Sequence, residues 1–391
     1  MKKILVLTAP AGGGHTATAK AIASSIAAAY PDEYEVRVAD VFLDFDLPIP
    51  LEKITTPAYS NSVRWLNSYP HKVFFKFASV SASLLNRFAT TVLREPALKF
   101  LRAYDPDIII STFPIISYGA SRILKEQHWP KRVPLISIVT DAGDVHRLWL
   151  MGGDDAILVA TPGTMSYAIG RGVPAERVHY LGFPVDERFS QLPTQAEARR
   201  QLGLDPDRPT VLVTAGGFGL SRKVVELARE LAGQELGLQY IFIAGRNEHD
   251  LAALRRLQFR DKAIVMGYTN DMPACLAACD VVVGKAGWVS LYEAMVVRRP
   301  TLIMNVVPGQ EEPNAKFIEE HGVGRVITNI EDMAAELAAF SRDPQRFDHY
   351  NEALDRLALD AASGRRIARF VHEHYGVGAK VGAINHEDLA Q

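Results

Sequence analysis

The sequence predicts an α/β protein built from two doubly wound domains, each a parallel sheet with helices on both faces. Three observations carry this. Short β-branched runs alternate with helical patterns along most of the chain. The pattern opens twice with a strand, a glycine cluster and a helix, at starts about 205 residues apart. The chain also has 391 residues, about twice the usual single-domain length.

The first strand is Ile4-Leu5-Val6-Leu7, followed by Gly12-Gly13-Gly14 and an alanine-rich helix from Ala17 to Ala29. Further strands are expected at Glu35–Val38, Ile108–Ile110, Leu135–Val139, Ala156–Val159 and Val178–Leu181. The rhythm restarts after Gly182-Phe183-Pro184-Val185-Asp186, so the join falls near residues 183–205. Thr210–Thr214 then leads into Gly216-Gly217-Phe218-Gly219, and strands follow at Tyr240–Ile243, Ala263–Met266, Val281–Val283 and Thr301–Met304. The expected domains are residues 1–185 and 186–363, with a C-terminal helix at about 364–376 packing back on the first. One large sheet carrying an insertion is the alternative. In doubly wound sheets ligands sit at the carboxyl ends of the strands, so a cleft facing both domains is the expected site.

Composition narrows the function classes. The chain is 48% hydrophobic and 23% charged with a net charge of −2, ordinary for a globular protein and without the basic excess of a dedicated nucleic-acid binder. The average conceals one block. Between Asn61 and Tyr104 stand Arg64, Lys72, Lys76, Arg87, Arg94, Lys99 and Arg102 against Glu95 alone. Phe74, Phe75, Phe77, Val80, Leu84, Leu85, Phe88 and Val92 recur there at three- and four-residue spacing. Such a basic amphipathic stretch can lie in an anionic membrane interface, or can pack its apolar face into its own domain. No run of about 18 uninterrupted apolar residues exists, so no transmembrane helix is expected. Met1-Lys2-Lys3 and the apolar run after it read as a first strand, not a secretion signal. Cys275 and Cys279, the two cysteines, fit a reducing compartment and read as helix packing.

The candidate chemistry sits at strand ends. Glycines Gly12 to Gly14 let backbone N–H groups approach an anion at a helix N-terminus, and His15 at the tip can act as a general base. Asp141, in Thr140-Asp141-Ala142-Gly143-Asp144-Val145-His146, is a second base or an orienting group; loop organisation is its plainer role. Gly284-Lys285-Ala286-Gly287-Trp288-Val289-Ser290 forms a second strand-to-helix turn, aiming amides and the Ser290 hydroxyl at a phosphate. Glu293, one turn on, can grip a ribose diol or simply serve the helix dipole. Pro308-Gly309-Gln310-Glu311-Glu312-Pro313-Asn314 offers an amide and a carboxylate to sugar hydroxyls, or caps a helix from Ala315. No metal-ligating set is apparent, so phosphate charge is left to amides and to Arg246 and Lys285.

In this order the Gly-Gly-Gly-His turn, Gly182 to Asp186, Ala244-Gly245-Arg246-Asn247, Gly267-Tyr268, Gly284 to Gly287, Glu293-Ala294 and Pro308 to Glu312 carry a resemblance. Across residues 4–330 the chain resembles the GT-B glycosyltransferases of the monogalactosyldiacylglycerol synthase and processive diacylglycerol glucosyltransferase group. The resemblance implies inverting transfer of galactose or glucose from a UDP-sugar to diacylglycerol, without metal or other cofactor. His15 would lie near the acceptor hydroxyl, with Asp141 as the second base candidate. Gly14, Gly217, Phe218, Arg246 and Tyr268 would border the nucleotide. Lys285, Ala286, Gly287, Trp288, Val289 and Ser290 would cradle the phosphates, Glu293 would hold ribose, and Gln310 and Glu311 the donor sugar. Membrane docking, at the cytoplasmic face and on anionic lipids, would fall to Arg64, Lys72, Phe74, Phe75, Lys76, Phe77, Leu84 and Arg87. Trp288 stands where the group usually has a small residue or proline, and Pro313 replaces a usual glycine. Rival expectations are GlcNAc transfer to a polyprenyl-linked lipid, UDP-sugar epimerisation, and a non-catalytic UDP-sugar sensor docked on membranes.

Overall fold

Two parallel sheets of six strands organise the computed structural model, which describes residues 1–9, 13–46, 94–126, 129–217 and 222–378. By internal contacts these residues divide into two units: one runs to Glu187 and resumes at Ala361, and the other is Arg188–Asp360.

In the first unit the strands are β1 (Lys2–Thr8), β2 (Tyr34–Asp40), β3 (Ile108–Ser111), β4 (Leu135–Ile138), β5 (Ala156–Val159) and β6 (Val178–Tyr180), in the order β2-β1-β3-β4-β5-β6. β3, β4 and β5 are buried at every residue, as central parallel strands covered on both faces must be. The edge strand β2 alternates with solvent instead. Ile4, Val6, Ile108, Ile110, Ile136 and Leu158 form one core face with Ile22 and Ile26 of the helix Gly14–Ala29. The helix Ser363–Tyr375 closes that face through Ile367, Ala368, Phe370 and Val371, so the chain's C-terminal helix belongs to the first unit.

The opposite face takes in a helix over residues 94–104, whose Ala97, Leu98, Leu101 and Tyr104 pack with Phe45, Ile109, Ile123 and Leu135. This helix ends the basic stretch read from the sequence. Two of its cations are paired locally, Lys99 with Asp46 at 2.9 Å and Arg94 with Glu126 at 3.8 Å. For residues 94–104, core packing is therefore the outcome. Arg64, Lys72, Phe74, Phe75, Lys76, Phe77, Leu84 and Arg87 lie outside the described residues.

The second unit holds β7 (Thr210–Thr214), β8 (Gln239–Ile243), β9 (Lys262–Met266), β10 (Val281–Lys285), β11 (Thr301–Asn305) and β12 (Gly324–Val326), in the order β12-β11-β10-β7-β8-β9. The sequence reading omitted β12, which is three residues long and carries an outward Arg325. Cys275 lies in the helix Met272–Ala278 and Cys279 at its C-terminal cap, not inside it. Both are fully buried, and burial pushes their thiols up to about 12, which leaves them inert.

Each sheet reverses its strand order once, between β1 and β3 in the first and between β7 and β10 in the second. In doubly wound sheets such a reversal is where ligands bind, outside the carboxyl ends of the strands. His15 belongs to the first of these places and Lys285 to the second.

Candidate active site

In the first unit, Gly13 caps the helix Gly14–Ala29 at φ +83°, a left-handed conformation that glycine adopts without a Cβ clash. The helix thus starts at Gly14, three residues before the expected Ala17. That start puts Gly14 and His15 in its first turn, over the end of β3. His15 is buried, with its ring edge-on to Phe113 at 4.9 Å. Its Nδ1 lies 2.7 Å from the Thr112 carbonyl oxygen and 3.1 Å from the Thr140 hydroxyl. A carbonyl oxygen only accepts, so Nδ1 carries the proton and donates it. In the neutral ring Nε2 then holds the lone pair, the form a general base needs. Thr112 is anchored in turn: its N–H donates to Leu7 and its hydroxyl to the His15 carbonyl at 3.0 Å. Asp141 is partly buried and follows Thr140 directly after β4, so one loop carries both a contact to His15 and the second base candidate. On that same loop His146 caps the short turn Arg147–Leu150 by accepting the Leu148 N–H, and burial lowers its pKa.

In the second unit the expected nucleotide residues gather at the carboxyl ends of β7 to β11. Gly216 follows β7 at φ +74°, and a Cβ there would stand 3.0 Å from Lys285 Cε. Gly217 accepts the Arg246 backbone N–H at 3.1 Å, while the Arg246 guanidinium sits 4.4 Å from the centre of the Tyr268 ring. Tyr268 is 49% exposed, so this cation–π pair offers a flat polar surface to a ligand. Phe218 lies outside the described residues.

Lys285 ends β10, just past a slip in the pairing register with β11 between Gly284 and Lys285. Such irregularities re-aim a side chain. Here the Lys285 ammonium pairs with Glu311, whose side chain is 4% exposed, and lies beside Gly287. Gly287 caps the helix Trp288–Val296 with no side-chain hydrogen bond. Its first-turn N–H groups, including those of Val289 and Ser290, have no carbonyl one turn earlier and present partial positive charge. Ala286 is fixed by its N–H to Asn305 at 2.9 Å and by its carbonyl, which accepts from Asn314 Nδ2 at 3.1 Å. Asn314 is fully buried and ties the acidic loop to the glycine turn; the sequence reading assigned it no role. Glu293 is partly buried one turn beyond.

Trp288 sits differently from the expectation. Its ring is 2% exposed and packs against Tyr292 at 5.9 Å and Phe317 at 5.1 Å. Only its backbone belongs to the glycine turn; its side chain is core. In the acidic loop Gly309 takes φ +81° and Gln310 is partly exposed. The helix Glu312–Glu320 starts before the expected Ala315, because Pro313 fits its first turn. Among the described residues no group of three or more His, Cys, Asp or Glu side chains is placed to hold a metal ion.

Comparison with known proteins finds matches in both halves of the chain. The family model for monogalactosyldiacylglycerol (MGDG) synthase matches residues 15–185, and that for the glycosyltransferase family 28 C-terminal domain matches residues 210–356. A probable chloroplastic monogalactosyldiacylglycerol synthase of Glycine max is 29% identical over 385 residues, covering 95% of this chain and 71% of that protein. The processive diacylglycerol beta-glucosyltransferase of Staphylococcus saprophyticus is 27% identical over 367 residues, covering 90% of this chain and 88% of that one. Among solved structures, CalG4, the calicheamicin glycosyltransferase, superposes with a TM-score of 0.63 at 14% identity over 95% of this chain and 98% of its own. That last likeness concerns the fold.

Proposed function

We propose that this chain is a member of the monogalactosyldiacylglycerol synthase group of GT-B glycosyltransferases, a reading its family-model matches and relatives support, and that it moves galactose or glucose from a UDP-sugar to the free hydroxyl of diacylglycerol with inversion at the anomeric carbon. The observation that carries the reading is His15. It is buried at the switch point of the first sheet, with Nδ1–H held by a backbone carbonyl so that Nε2 is left basic. A base in that form removes the acceptor proton as the new glycosidic bond forms, and Asp141 is the second candidate for the same step.

The second unit suits the other substrate. Arg246 and Tyr268 border the base and ribose, Glu293 takes the ribose hydroxyls, and Lys285 with the amides of Gly287 to Ser290 meets the diphosphate. Cations and amides already in place stabilise the leaving UDP as its charge develops. No metal or other cofactor is assigned to this reading. Gln310 faces the transferred hexose. Access to the lipid is peripheral: no described helix is long and apolar enough to cross a membrane, and the basic, aromatic stretch around Lys72–Arg87 suits an anionic surface.

Purified protein, UDP-glucose or UDP-galactose, and diacylglycerol in mixed micelles should yield UDP and a glycolipid identified by mass. No UDP release with either donor would overturn the reading. Release only with UDP-GlcNAc and a polyprenyl-linked acceptor would move the chain to that activity. His15→Ala should abolish turnover and leave UDP binding intact; unchanged turnover would remove His15 as the base.

A further inference from the structure

The family resemblance implies that Glu311 holds the donor sugar, but its surroundings in the second unit describe another task. One carboxylate oxygen, Oε1, is paired with Lys285 Nζ, and the other, Oε2, accepts the Val307 N–H at 3.1 Å. The side chain is 4% exposed and that of Lys285 18%, so both charges are largely out of water and each depends on the other. The placement of the ammonium is also defined from the backbone side. A Cβ on Gly287 would stand 2.8 Å from Lys285 Nζ and 3.6 Å from Glu311 Oε1, and one on Gly216 would meet Lys285 Cε at 3.0 Å. The lysine therefore threads between two glycines and ends beside the uncapped helix start at Trp288.

We propose that Glu311 is a positioning residue for Lys285: it holds the ammonium next to the helix N-terminus, where the two meet the diphosphate of a nucleotide, and does not contact the transferred sugar. The inference rests on the UDP-sugar reading above. Its physical basis is that a lysine carries a flexible four-carbon stem and a strongly hydrated charge. Placed beside the positive end of a helix with no counter-ion, it would swing to solvent. Glu311 prevents that, and the Val307 N–H prevents Glu311 from following the lysine outward. The hydroxyl-binding capacity of the loop is left to Gln310.

The test is the affinity of the purified full-length protein for UDP, which has no hexose, and for UDP-glucose and UDP-galactose, in a cycle of Glu311→Gln, Lys285→Ala and the double variant. Glu311→Gln keeps an acceptor for Val307 and removes only the charge. We expect it to weaken UDP and both UDP-hexoses equally, by about tenfold, with Tm held within a few degrees. In the Lys285→Ala background it should weaken them no further. UDP affinity unchanged with UDP-hexose affinity reduced would make Glu311 a sugar ligand and overturn the proposal. A full additional loss in the Lys285→Ala background, or no loss for any ligand, would overturn it as well. Failure of the wild-type protein to bind UDP at all would instead sink the functional reading on which it rests.

Discussion

His15 Nδ1 lies 2.7 Å from the carbonyl oxygen of Thr112, and this one contact sets which nitrogen of the imidazole is basic. The carbonyl belongs to the first residue after β3, whose own N–H donates to Leu7 of β1, so the ring inherits the rigidity of the sheet. Orientation of a base by a fixed acceptor at its other nitrogen is a general device of acid–base sites.

Thr140 is the replaceable part of that arrangement, since its hydroxyl lies 3.1 Å from the same nitrogen and the Thr112 group is backbone. Thr140→Val keeps the volume and removes the hydroxyl. Turnover with UDP-hexose and diacylglycerol should fall about tenfold in kcat with little change in KM, the loss of roughly one hydrogen bond to a group that becomes charged. Thr140→Ser should restore most of it. An unaltered kcat in the valine variant would show that the hydroxyl plays no part in orienting His15.

The Trp288 ring bears on stability, not on the nucleotide. It is buried between Tyr292 and Phe317, so Trp288→Ala should cost about 3–5 kcal/mol of folding free energy. Below the lowered Tm, UDP affinity should stay within about twofold of wild type. Denaturant unfolding and UDP titration separate the two quantities, and a selective loss of UDP affinity would return the indole to the phosphate turn.

Asp154 gives the first unit a pH dependence. It is 2% exposed, accepts a hydrogen bond from Ser137 at 3.0 Å, and leaves Oδ1 without a hydrogen-bond partner. Burial raises its pKa to about 7. The folded state thus holds a proton that the unfolded chain releases near pH 4. The group's contribution is most favourable below about pH 4 and declines as pH rises to about 7. Asp154→Asn keeps the acceptor for Ser137 and cannot ionise. Its Tm should gain on wild type progressively from pH 5 to pH 8, the full effect being on the order of 3–4 kcal/mol. A pH-independent difference in Tm would remove Asp154 as the source.

The basic stretch is testable through Lys72, Lys76 and Arg87 together. Replacing all three with glutamine should weaken binding to vesicles containing anionic lipid by about a hundredfold, at about 1 kcal/mol for each charge near the surface. Neutral vesicles should be bound no differently. Equal binding to anionic vesicles would return residues 64–87 to core packing, as already found for residues 94–104.

Most of the fold was legible because its signals are local. Runs such as Ile108–Ser111 and Thr210–Thr214 are mostly apolar and buried throughout because parallel strands are covered on both faces. β12 escaped because three residues ending at a sheet edge carry almost no pattern. The starts of two helices shifted for reasons of backbone chemistry, the left-handed Gly13 and the tolerance of Pro313 in a first turn. Of the site, the strand-end position of His15, Lys285 and the acidic loop followed from the alternation of strands and helices.

The residues that complete the site did not follow from it. Thr112 and Thr140 reach His15 across 97 and 125 residues, Asn314 reaches Ala286 across 28, and Glu311 reaches Lys285 across 26. The sequence by itself determined a two-sheet α/β chain, the strand ends where its chemistry gathers and a single basic block. Tertiary structure alone decided which nitrogen of His15 is basic, which carboxylate neutralises Lys285 and which aromatic ring is core. The physical reason is that periods of 2 and 3.6 residues are written in neighbouring side chains. A hydrogen bond between loops exists only once the order of strands has brought their carboxyl ends together.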